Sequence, residues 1–78
     1  MMRHPMHVHV MFQRKRYGIV NVSDKYLSRW AIVGERPQDD AFVEWIDEDT
    51  IGMLQQLPGD ESRAEWLLAY LTLTKGKD

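Results

Sequence analysis

The sequence predicts an α+β domain: an antiparallel meander of three or four strands, then two C-terminal helices packed on one face. Three observations carry this expectation. Residues 6–13, MHVHVMFQ, alternate apolar and polar with the period of a half-buried strand. Further β-rich runs follow, parted by polar connectors. Residues 60–75, DESRAEWLLAYLTLTK, place Ala64, Leu67, Leu68 and Leu71 at helical spacing.

In chain order, residues 1–5 are expected to be a flexible N-terminus, 6–76 a single domain and 77–78 the C-terminal end. The first strand points Met6, Val8, Val10 and Phe12 one way and His7, His9, Met11 and Gln13 the other. Arg14, Lys15 and Arg16 then form a turn, or the wet end of the strand; with neither Gly nor Asn, the turn type is not readable. Residues 17–22, YGIVNV, make the second strand, ended by Ser23 and Asp24.

Residues 26–33, YLSRWAIV, fit two readings. As a strand they place Tyr26, Ser28, Trp30 and Ile32 on one face and Leu27, Arg29, Ala31 and Val33 on the other. As a helix they would be capped by Ser23 and stopped by Gly34. The β-branched finish and short connector favour the strand. After a polar loop at 35–40, residues 41–46, AFVEWI, form a strand with Phe42 and Ile46 on one face, Val43 and Trp45 on the other. A short helix over 50–57 is capped by Asp49 and buries Ile51, Leu54 and Leu57. Gly52 inside it costs roughly 1 kcal/mol relative to alanine. Pro58 and Gly59 turn the chain into the long helix, where Asp60 is placed as N-cap and Gly76 as a left-handed stop.

The 78 residues suffice for one domain. At this size folding buries only about 60% of the unfolded chain's surface, so the stability margin is thin. With no cysteine, neither a disulfide nor a thiolate metal site is available. No apolar run approaches the ~20 residues of a membrane span, and a cytoplasmic setting is expected. The net charge of −2 conceals an asymmetry. Residues 1–38 hold seven Lys+Arg against two Asp+Glu, or +5; residues 39–78 hold three against ten, or −7.

Catalytic patterns are missing. Ser23, Ser28 and Ser62 lie in no nucleophile elbow, and the five glycines form no phosphate-cradling loop. The carboxylates from Asp39 to Asp49 read as loop solvation and helix caps rather than an acid–base pair. His7 and His9 share a strand face at the spacing of a two-histidine metal site, but no third ligand is evident. The expectation is therefore a non-catalytic protein without a cofactor or metal. It would act as an interaction module, an adaptor or inhibitor, by surface complementarity. Its partner would be another protein or a second copy in a homodimer. Trp66 and Tyr70, four apart on the long helix, with Asp39, Asp40 and Glu44, are the expected partner-binding residues. The alternative is a nucleic-acid-binding module in which Arg14, Lys15 and Arg16 meet phosphates and Tyr17 stacks on a base.

Overall fold

A computed structural model describes residues 6–23, 25–39 and 44–76. The expected loose ends at 1–5 and 77–78, Asp24, Asp40 and the expected strand positions 41–43 lie outside the described residues. The elements run β1 (Val8–Phe12), β2 (Lys15–Ser23), β3 (Ser28–Gly34), β4 (Glu44–Ile46), α1 (Glu48–Gln56) and α2 (Asp60–Lys75). The strands form one antiparallel sheet in the order β1-β2-β3-β4, and two helices follow it. This is the α+β meander that the alternation implies. Residues 26–33 resolve as the strand alternative, with β3 starting at Ser28.

Strand register divides the side chains between two faces. Val8, Ile19 and Ile32 lie opposite one another, as do Val10 with Tyr17 and Trp30 with Ile46. All of these are buried, and with Met6 they meet Ile51 and Leu54 of α1 and Leu67 and Leu71 of α2 in one core. Both helices therefore cover the same face of the sheet. The other face carries His9, Met11, Arg16, Gly18, Val20, Val22, Arg29, Ala31, Val33 and Trp45.

Several local expectations are corrected. The first turn is not Arg14-Lys15-Arg16. It is Gln13 and Arg14, at φ 53° and 68°, between the paired residues Phe12 and Lys15. Two left-handed residues match the right-handed twist of the flanking strands, so the hairpin takes this turn without the usual Asn or Gly. Lys15 and Arg16 belong to β2.

Asp47, not Asp49, caps α1, accepting from the Thr50 amide at 2.7 Å, and the helix begins at Glu48 rather than Thr50. Gly59, not Asp60, stands at the N-cap of α2, with no side-chain cap. Asp60 instead pairs with Arg63 at 2.9 Å. Gly76 ends α2 at φ −78°, ψ −5°, which is right-handed, so the expected left-handed stop is not used. Leu68 is 37% exposed and lies off the core stripe. Among the described residues no helix is long and apolar enough to cross a membrane.

Arg63 joins the two helices. Its Nε donates to the carbonyl of Leu54 at 2.6 Å, and Nη2 donates to those of Gln55 at 3.2 Å and Leu57 at 3.1 Å. The last turn of α1 holds no basic residue of its own. A guanidinium from α2 therefore satisfies carbonyls that the end of any helix leaves without intrahelical partners.

Candidate functional site

Among the described residues no helix covers the other face of the sheet, and the core does not explain the apolar side chains there. One-sided antiparallel sheets commonly alternate apolar inward with polar outward. Here β3 is apolar on both faces: Trp30 and Ile32 point to the helices, Ala31 and Val33 away from them. Val20, Ala31 and Trp45 form one cross-strand row on the outer face, and Val22 extends it beside Arg29. Ala31 is closed over, but Trp45 is 41% exposed, Val22 49% and Met11 54%.

Charge brackets the patch. The Arg29 guanidinium lies 4.0 Å from the centroid of the Trp45 ring, a cation–π contact that fixes the indole against the sheet. At the other end Glu35 reaches across Gly18 to hydrogen-bond His9, with Arg16 Nε 4.0 Å from its carboxylate. A Cβ at Gly18 would sit 3.0 Å from the Val8 carbonyl oxygen and push the Glu35 carboxylate aside, a close approach that suits glycine in this strand.

The expected partner-binding residues separate. Trp66 and Tyr70 stack with centroids 5.2 Å apart and planes 13° apart, and the Tyr70 hydroxyl donates to Glu44. These three do come together. Both rings are half-buried and pack against the core, and the cleft beside them holds only about 130 Å³. That is below the ~300 Å³ at which ligand pockets begin.

Glu44 and Trp45 are neighbours on β4, so they point to opposite faces. The Tyr70 bond ties Glu44 down from the helix side, leaving Trp45 facing outward. Asp39 is not a surface charge. Its side chain is fully buried in the loop after β3 and takes Arg36 Nε at 2.9 Å, Arg36 Nη2 at 3.0 Å and the Arg36 amide at 3.1 Å. The bond from Arg36 holds the Asp39 carboxyl below the usual aspartate range, and the same bond raises Arg36. Asp40 lies outside the described residues.

The alternative nucleic-acid site loses its ring. Tyr17 is 2% exposed and faces the core, with Phe12 at 6.5 Å between centroids. A buried phenol cannot stack on a base. Arg14 sits in the turn, and its carbonyl accepts from Arg36 Nη2 at 3.1 Å. His7 and His9 are both exposed, and His9 is engaged with Glu35. Among the described residues no group of three or more His, Cys, Asp or Glu could hold a metal ion.

Sequence reasoning missed a groove between the start of β3 and α1, of about 590 Å³. Its lining includes Trp30, Ile46, Asp47, Ile51, Gly52 and Gln55. Trp30 Nε1 and Gln55 Nε2 are buried without a hydrogen-bond partner among the described residues. A donor left in that state costs about 1–3 kcal/mol. The only trace in the sequence is Gly52, a helix-interior glycine with no local reason to be there. Comparison with protein-family models, curated proteins and solved structures finds no match for this chain.

Proposed function

We propose that this protein is a small, non-catalytic interaction module that docks another protein on the uncovered face of its sheet. The observation that carries the reading is the apolar group beside β3 on the outer face, where Trp45 and Val22 remain exposed. Trp45, held by Arg29, is the anchor, with Val20 and Val22 beside it. Interface hot spots are rich in tryptophan and arginine, which supply large contact area at little entropic cost. Trp66, Tyr70 and Glu44 serve this surface from behind by fixing β4.

Charge selects among partners. Arg16 and Arg29 lie on the face, opposed there by Glu35. A partner presenting an apolar strip bordered by carboxylates complements it and gains on-rate from the attraction. A second copy would set two faces of the same net positive charge, Arg16 and Arg29 against Glu35, against each other. The reading is therefore a heterologous acidic partner rather than a homodimer.

A photo-cross-linking side chain at Val22, expressed in the source cell, tests this. A discrete adduct with another protein is expected at Val22 and not at Glu65 on the exposed side of α2. Trp45→Ala should abolish that adduct while the thermal melt stays unchanged. An adduct of twice the chain mass would replace the reading with self-association. An adduct removed by nuclease would replace it with nucleic-acid binding through the basic face. No adduct above the Glu65 control would end it.

A further inference from the structure

We propose that the groove between the start of β3 and α1 binds a neutral, largely apolar small molecule that carries a carbonyl-type acceptor oxygen. Its volume of about 590 Å³ falls within the ~300–1,000 Å³ typical of small-molecule pockets. Trp30, Ile46 and Ile51 give it apolar walls.

Two further observations point to an occupant. Trp30, 8% exposed, and Gln55 both line the groove, and each carries a buried N–H with no acceptor among the described residues. Buried donors are normally paired. Two donors in one groove wall without a partner among the described residues suit a ligand that brings an acceptor. Gly52 is the second observation. It lies inside α1 with ordinary helical φ, and a Cβ built there meets nothing within 4 Å. Neither backbone geometry nor packing requires glycine, yet glycine weakens the helix. What its missing side chain preserves is the open space of the groove.

The rim sets the charge of the ligand. Asp47 and Glu48 line the α1 side, and the bonds to Thr50 keep the Asp47 carboxyl below its usual range, hence ionised. Arg29 also lines the groove, but its guanidinium lies on the other face of the sheet, stacked on Trp45. Two carboxylates against one engaged guanidinium disfavour an anion, and a neutral carbonyl compound satisfies the donors without that repulsion.

Nuclear magnetic resonance on the ¹⁵N-labelled full chain tests the proposal, with N-phenylacetamide as the probe. The Trp30 indole peak is identified by its loss in Trp30→Phe. Saturable shifts of the Trp30 indole and Gln55 carboxamide peaks are expected in the millimolar range. Ethylbenzene, of similar size without an acceptor, should bind about tenfold more weakly, the factor one hydrogen bond is worth. Phenylacetate, the anionic counterpart, should also bind more weakly. Gly52→Leu should raise the melting temperature, because leucine is the better helix former, while abolishing the shifts. The proposal is overturned if no saturable shift occurs. Equal binding of ethylbenzene overturns it too, as do shifts that persist in a stably folded Gly52→Leu protein.

Discussion

Replacing Arg63 with lysine keeps the charge and removes the fork, so it isolates what the guanidinium does between the helices. Arginine reaches three carbonyls at the end of α1, those of Leu54, Gln55 and the C-cap Leu57, and the Asp60 carboxylate at once, with its side chain 11% exposed. Lysine brings one compact ammonium on a flexible stem and cannot reproduce that geometry. Hydrogen bonds from charged donors contribute about 1.5–3 kcal/mol each. The end of α1 is near enough to the surface for water to recover part of the loss. The net cost of Arg63→Lys is therefore about 2 kcal/mol, and of Arg63→Ala about 3 kcal/mol. For a domain of this size, 2 kcal/mol is a fall in Tm of roughly 8–16 °C. Urea unfolding followed by circular dichroism reads the free energy, and a thermal melt reads the shift. Asp60→Ala is the control, because it removes only a half-exposed ion pair and should cost less than about 1 kcal/mol. If Arg63→Lys leaves the urea midpoint unchanged, or Asp60→Ala costs as much, the capping argument is wrong.

Leu67→Ala should cost about 2–5 kcal/mol because it opens a cavity at a fully buried position. Leu68→Ala, at a 37% exposed position, should cost far less, and paired urea melts distinguish them. Arg14→Gly should stabilise by about 1 kcal/mol, since it relieves a left-handed residue while the carbonyl that receives Arg36 stays in place. A lower urea midpoint for that variant would contradict the turn geometry. On acidification the unfolded chain binds protons near the ordinary aspartate value of about 3.9, before the folded one does. Asp39 and Asp47, both depressed, thus contribute stability that is present above about pH 4 and lost as pH falls through their folded values. Asp39→Asn should flatten that fall in urea melts taken from pH 7 to pH 3.

How much was legible depended on whether a residue's partner was local. The alternation of 6–13 and the spacing of Leu67 and Leu71 each report a face within one segment, and both sit in the core. The caps slipped because several acids stood in a row. Asp47, Glu48 and Asp49 are equally good by composition, and only the backbone decides which carboxylate meets the Thr50 amide. Asp39 looked like surface charge because its partner, Arg36, was hidden in a polar loop that the sequence leaves unshaped. Tyr17 was read beside its basic neighbours rather than against Val10, its partner in register. The outer sheet face had been written in Val20, Val22, Ala31 and Val33. Seeing it requires knowing that both helices cover the same side.

The corner made by Arg14 and Arg36 also bears on how the chain meets proteases. Arg14, Lys15 and Arg16 form the densest trypsin target in the sequence. Cleavage needs a segment that can leave its fold and lie extended in the enzyme's cleft, which is why nicking concentrates in exposed loop tips. Here Lys15 and Arg16 are paired in the ladder with Phe12 and Met11, and the carbonyl of Arg14 is fastened to Arg36. The Glu35 amide adds a further bond to the carbonyl of Arg16, so the run is held from two sides. The tribasic tip is thus guarded while the domain is folded and becomes its most vulnerable point once β1 lets go. Digestion at this site would serve as a clock for opening of the hairpin.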